Sequence, residues 1–479
     1  MIRQSLWYFL IRIGNGVFGI ATIAAFTRLM SPQQYGVFAL GMAITLIASS
    51  ILFQWLNVGV GRFYQIYWKK PKVIMSAANR GFGAAAAAGV LVFFLALLFH
   101  KAVGLESSLI CILLLITIAQ GRYDLSLQVA NAQRAPMKYA LISWSKTGIT
   151  LLMGISLTYY GAGERGALLA FLAGLVFSVL AFNPARCLGS LKGSWDPKLS
   201  GELFRYGLPL TVTFLAFVVG DMSDRFMIAW FFNASHVAPY AATYDLVQQT
   251  IGAIMSVLFL AGYPIAVLAL EKEGEAVASN HLFSLGRALV GVGLASAVGL
   301  AVLSRDIANF FFGEAIRQDA ARILPYLAAA IFIGCFKTYY LELPFLLRRA
   351  TKNLGYIALF MASSKISLNF LLLPRYGIQG AAWATLAAFS AGALMSWITG
   401  RRIFHMPGVA KDLACSLCAC AVMALALWML PLSGGIIRLL GKIALGGGIY
   451  GLFALGFDIA GSRRWLLAAL GGKVAHIHN

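Results

Sequence analysis

YIALFMASSKISLNFLLL, residues 356–373, is apolar almost from end to end, with one lysine, Lys365, near its middle. About 20 mostly apolar residues are needed for a helix to cross the hydrocarbon core of a bilayer. The stretch therefore reads as a membrane-spanning helix that carries an ammonium. A lysine at the centre of a span costs about 2.5–3.5 kcal/mol on insertion scales, so it is kept only where it faces a bundle interior or a wet cavity. Lys146 and Lys337 lie in similar apolar runs. Three intramembrane cations point to a substrate with anionic parts.

The rest of the chain agrees with that stretch. Of 479 residues, 60% are hydrophobic and only 11% are charged, against about 25% charged in soluble domains. The apolar run that begins near Met1 continues past Ile20 without a cleavage-type site, so it reads as an uncleaved first span. Fourteen spans are expected, over 8–30, 36–57, 82–100, 108–128, 139–159, 166–183, 206–231, 241–268, 283–303, 323–346, 354–373, 378–399, 412–430 and 436–458. Each is about twice as long as a barrel strand, so the fold class is all-α integral membrane.

The net charge of +21 is spread through alternate short loops and not gathered on one face. This excludes nucleic acid as a partner and sets orientation. Lys69, Lys70, Lys72 and Arg80, then Arg186 to Arg205, Arg348 to Lys352, and Arg401 to Lys411 mark the cytoplasmic side, which also holds both termini. The longest loop, Asn183 to Arg205, is too short for a catalytic domain. Cys415, Cys418 and Cys420 are spaced like metal ligands but lie in an apolar helix without a second ligand pair, so they read as packing residues. No metal or cofactor is expected.

Two weak internal echoes recur six spans apart. Tyr160-Gly-Ala-Gly-Glu-Arg-Gly166 precedes span 6, and Tyr376-Gly-Ile-Gln-Gly380 precedes span 12. Ser31-Pro-Gln-Gln-Tyr35 follows span 1, and Ser235-His-Val-Ala-Pro-Tyr240 follows span 7. An even number of intervening spans makes such a repeat parallel, with a central cleft between the halves. The expected lobes are 1–200 and 201–405, each of six helices. Residues 406–479 supply two accessory helices and a cytoplasmic tail.

Three stretches in order carry a family resemblance. They are Thr27-Arg28-Leu29-Met30-Ser31-Pro32-Gln33-Gln34-Tyr35-Gly36; Tyr206-Gly-Leu-Pro209 followed by Asp224-Arg225-Phe-Met-Ile; and Asn369-Phe-Leu-Leu-Leu-Pro374-Arg-Tyr376-Gly377-Ile-Gln-Gly380. Together they resemble the Wzx-type polysaccharide flippases, relatives of multidrug exporters and of the lipid II flippase. The resemblance implies a V-shaped bundle in the bacterial inner membrane with no enzymatic step. It would move undecaprenyl-diphosphate-linked oligosaccharide units for exopolysaccharide, capsule or O-antigen. Membrane lipids, a polysaccharide polymerase and export machinery would be its partners.

The intramembrane charges are the candidate site. Lys146 in span 5 and Lys365 in span 11 lie on repeat-equivalent helices and would face each other across the cleft. They would hold a diphosphate or an acidic sugar as point charges, with snorkelling to the interface as the alternative for each. Lys337 has two readings, as a substrate contact or as a structural partner of Glu342, five residues on and not quite on its face. Asp224 is left over if Asp221 and Arg225 pair on span 7, four residues apart; it either meets another helix or carries a coupling ion. Glu342 and Asp124 are further coupling candidates, and Arg122 and Arg12 further cations. Two rival functions remain: a multidrug antiporter, for which excess central carboxylates would be expected, and a membrane polymerase or ligase. The outward loop Ser304 to Arg322, with Asp306, Glu314 and Asp319, is short for the second.

Overall fold

The computed structural model describes residues 2–98, 106–182, 196–348, 350–404, 406–429 and 435–463. Lys101, most of the long loop with Arg186 and Lys192, Arg349, and the tail with Arg464 and Lys473 lie outside the described residues.

The helices are α1 (Ile2–Leu29), α2 (Pro32–Phe63), α3 (Pro71–Leu98), α4 (Ser107–Ala132), α5 (Pro136–Tyr159), α6 (Gly163–Phe182), α7 (Pro197–Phe231), α8 (Ala234–Val247), α9 (Ala253–Lys272), α10 (Glu275–Val302), α11 (Ser304–Phe311), α12 (Glu314–Phe336), α13 (Leu343–Leu347), α14 (Thr351–Gly400), α15 (Ala410–Trp428) and α16 (Ile436–Gly456). Two π-turns interrupt long helices, Gln248–Gly252 between α8 and α9 and Lys337–Leu341 between α12 and α13. No strand occurs among the described residues. Thirteen helical stretches there are long and apolar enough to cross a membrane.

The thirteen stretches make fourteen passes. Lys352–Gly400 is 49 residues long, more than twice what one crossing takes. It breaks at Gly377, where φ is 59° and ψ is −146°, a conformation open to glycine and strained for any residue with a Cβ. The break falls between the two spans expected at 354–373 and 378–399. Helix starts are equally local. Ser31 caps α2 through the Gln34 amide, while the Gln34 side chain returns to the Ser31 N–H. This is a capping box with Pro32 at the first position. Asp196 caps α7 by accepting from Lys198 and Leu199 at 3.0 and 3.2 Å.

The chain packs as two compact units. One is Met1–Ala242 with Ala358–Ile378; the other is Thr243–Ile357 with Gln379–Asn479. This division differs from the expected lobe boundary at residue 200, because α7 packs with the first six spans. Leu199 and Leu203 of α7 bury against Leu56, Val60, Ile74 and Leu125. Further along, Val218 and Met222 meet Ala43 of α2. Inside a membrane such seams are held by close packing and small residues, not by expulsion of water.

Glycine makes possible the seams of α2 with α7 and with the start of α8. A Cβ on Gly207 would sit 2.0 Å from the Trp55 carbonyl oxygen, and one on Gly36 would sit 1.7 Å from that of Ala234. Gly207→Val is therefore expected to cost at least the roughly 1–3 kcal/mol of ordinary overpacking, read as a lower melting temperature in detergent. Gly83→Val is the control, since a Cβ there meets nothing within 4 Å. Equal melting of the two variants would contradict the seam.

In the second unit the two C-terminal helices are fastened to α10 and α11. Arg287 pairs with Asp412 at 2.6 Å and Lys442 with Asp306 at 2.8 Å. The Tyr450 hydroxyl donates to the Gly291 carbonyl at 2.8 Å. The carboxylates of the stretch Ser304 to Arg322 are thus partly committed: Asp306 to Lys442, and Asp319 to Arg322 at 3.9 Å.

Candidate functional site

Lys365 is enclosed. Its ammonium lies 2.6 Å from Asp224 Oδ2 and 3.5 Å from the Asp221 carbonyl oxygen. Asn369 Nδ2 donates to Asp224 Oδ1 at 2.6 Å, and the Tyr240 hydroxyl donates to Oδ2. Lys365 and Asn369 are four apart on α14 and so share a face. α7 brings Asp224 and α8 brings Tyr240. Small residues permit the approach: a Cβ on Gly220 of α7 would lie 3.0 Å from that of Ala362 on α14. Lys365 is 1% exposed and Asp224 is 0%. The ammonium is therefore neutralised in place, and among the described residues Asn369 Oδ1 has no hydrogen-bond partner.

Lys337 is enclosed in a different way. Its ammonium lies 2.6 Å from Glu342 Oε1, with both side chains buried. Residues five apart on an α-helix are about 140° apart around the axis, which is why Glu342 reads from sequence as off the face. The π-turn corrects that reading. The Glu342 N–H donates to the Lys337 carbonyl at 3.0 Å, a five-residue step that brings the two side chains over each other.

Lys146 is the contrast. It is half-buried, and among the described residues its ammonium makes no hydrogen bond and no ion pair. It rests instead on an aromatic face, 4.1 Å from the Phe171 ring centroid and 6.0 Å from that of Tyr123. Such a cation–π contact is worth about 0.5–2 kcal/mol. Asp124 stands within electrostatic reach, and its Oδ1 accepts from Gln120 Nε2 at 2.9 Å.

Polar groups extend along the same face of α5. Asn15 Nδ2 on α1 donates to Ser143 Oγ at 2.6 Å, leaving Asn15 Oδ1 buried without a partner among the described residues. Thr150 Oγ1, one turn beyond Lys146, also has no hydrogen-bond partner among the described residues. Arg12 is exposed one turn before Asn15 and interacts electrostatically with Tyr139. An ammonium lodged on a ring, with polar groups one turn away and a guanidinium near Tyr139 two turns away, can receive an anion without first breaking an ion pair.

Arg122 lies apart from this group. Its Nη1 donates to Asn79 Oδ1 at 2.6 Å, and its guanidinium lies 5.5 Å from the Phe82 centroid, both on α3. Two residues from Asp124, it points to another side of α4. The sequence reading missed Tyr240, Asn369, Gln120, Asn15 and Phe171. For Asn369 and Gln120 a signal existed, since each lies four residues from a charge already singled out. Among the described residues no three His, Cys, Asp or Glu side chains gather as a metal site would require.

This arrangement sits in a fold with known counterparts. The family described as "Polysaccharide biosynthesis protein" matches residues 1–268. No curated protein matches. Among solved structures, the lipid II flippase MurJ in an inward closed conformation aligns with a TM-score of 0.73 at 15% identity, over 97% of this chain and 100% of that one. An inward-facing multidrug resistance transporter of the MATE family, in the MOP superfamily, aligns at 0.58 and 14%, over 82% and 97%. A MOP superfamily transporter from Pyrococcus furiosus aligns at 0.56 and 14%, over 83% and 95%. At these identities the likeness to the solved structures is one of fold.

Proposed function

The chain belongs to the polysaccharide biosynthesis protein family, and from that premise we propose that it translocates polyprenyl-diphosphate-linked oligosaccharide units across the bacterial inner membrane. The observation that carries the reading is Lys146, a span lysine held on Phe171 and free of any ion pair among the described residues. Lys146 and Arg12 receive the diphosphate from the cytoplasmic side. The polyprenyl chain stays in lipid, and the parallel lobes alternate to release the head group outside. Both termini lie in the cytoplasm, as the loop charges favour. An ion gradient resets the cycle through Asp124, Asp224 or Glu342. The last two must exchange an ammonium partner for the ion.

The near rival is a multidrug antiporter with this fold. Organic cations need open carboxylates, and Asp224 and Glu342 are each held by a lysine at 2.6 Å. That favours an anionic substrate.

Loss of the protein is expected to leave complete lipid-linked units confined to the cytoplasmic leaflet. The measurement is their resistance to a glycosidase added outside intact spheroplasts. Units already cleavable from outside in the deletion strain would make a polymerase or ligase the better reading.

A further inference from the structure

The stretch Ala234–Lys272 is 39 residues long, and near its middle the Gln248–Gly252 π-turn carries two adjacent glutamines. Both are exposed. Neither carboxamide makes a hydrogen bond among the described residues. The local backbone is served by others: the Thr250 hydroxyl donates to the Leu246 carbonyl at 2.8 Å, and the Ser256 hydroxyl to that of Ala253 at 2.8 Å. The glutamines therefore have no structural task in the turn. Gln248 is nonetheless seated. A Cβ on residue 252 would lie 2.7 Å from its Nε2, so Gly252 leaves the space in which the amide rests along its own helix.

An amide moved into hydrocarbon without a partner costs about 2–7 kcal/mol. Two such groups within a spanning stretch are therefore expected to face water and not lipid. π-turns within long helices are often found at functional sites. Each carboxamide offers two donors and an acceptor with no net charge. That chemistry suits neither a bare phosphate, which calls for a cation, nor a metal ion, which calls for carboxylates. It matches hydroxyl pairs on a sugar ring.

We propose that Gln248 and Gln249 form a saccharide-binding site that distinguishes the glycosylated lipid from bare polyprenyl diphosphate. The proposal rests on the diphosphate reading above and adds to it the part of the protein that reads the sugar.

The test measures binding of two kinds of probe to the purified full chain. One is undecaprenyl diphosphate. The other is a panel of undecaprenyl-diphosphate-linked monosaccharides carrying glucose, galactose or N-acetylglucosamine. The wild type is expected to bind at least one glycosylated probe about tenfold more tightly than the bare lipid. Gln248→Ala/Gln249→Ala is expected to bind all probes alike, with bare-lipid binding unchanged. That unchanged binding is also the control for folding. If the double variant loses it, each single alanine variant carries the same test, with an expected loss of about threefold in sugar preference. A wild type with no sugar preference, or variants that fold and keep it, overturns the proposal. A wild type that binds no probe defeats the diphosphate reading, and this site with it.

Discussion

Asp224→Asn alone is expected to destabilise the protein more than Asp224→Asn and Lys365→Met together. The single change removes the counter-ion of an ammonium that is 1% exposed. Breaking a buried pair from one side typically costs about 3–5 kcal/mol, whereas replacing both partners by uncharged groups of similar size is often close to neutral. Lys365→Met alone should fall between them. The carboxylate it leaves behind still accepts from Asn369 and Tyr240, while Asp224→Asn leaves a buried ammonium without its carboxylate, 3.5 Å from the Asp221 carbonyl. The expected order of melting temperature in detergent is wild type, double variant, Lys365→Met, Asp224→Asn. A double variant that melts below both singles would show that the pair does not act as a unit. Export separates the two readings of Lys365. A folded double variant that still exports polymer makes the lysine structural. A folded one that does not gives the Lys365–Asp224 pair a part in transport, and export by a folded Lys365→Met variant then assigns that part to Asp224.

Most of the fold was legible because it depends on local pattern. Apolar runs of spanning length, the Ser31-Pro32-Gln33-Gln34 cap and the glycine at 377 each act within a few residues. The partners of the charges were legible only in part, Glu342 being one of two readings for Lys337, for two physical reasons. Asp224, Asn369 and Lys365 meet from helices more than a hundred residues apart in sequence, and Lys337 meets Glu342 only because a π-turn shifts the register by a residue. No periodicity announces such a turn, and two glutamines in an apolar span are easily passed over, so Gln248 and Gln249 went unread. The motifs behind the family resemblance also change meaning. Gly36 and Gly207 are helix-contact residues, held against the backbone of Ala234 and Trp55. Asn369 belongs to the Asp224 network and Gly377 bends α14. At these four positions the motifs mark how the helices pack and bend.

Lys146→Ala is expected to behave in the opposite way to Asp224→Asn, folding normally and failing in transport. No carboxylate loses an ion-pair partner when Lys146 is removed, because none is within salt-bridge distance among the described residues, and Asp124 keeps its bond from Gln120. The lost cation–π contact with Phe171 accounts for about 0.5–2 kcal/mol. The substrate loses more. A charge-assisted contact to a phosphate oxygen contributes about 1.5–3 kcal/mol, so the affinity for undecaprenyl diphosphate should fall about tenfold to a hundredfold. Lys146→Arg should recover part of it, since it keeps the charge and still stacks on the ring. Phe171→Leu keeps the charge and removes the face it rests on. It should weaken binding by less than Lys146→Ala, because water or Asp124 can then take the ammonium that the ring had kept available. Polymer export and protein level are measured together in a strain that depends on this chain. Normal export at a normal level in Lys146→Ala would remove Lys146 from the site. The anion would then fall to Arg12, which is exposed and interacts with Tyr139 of α5.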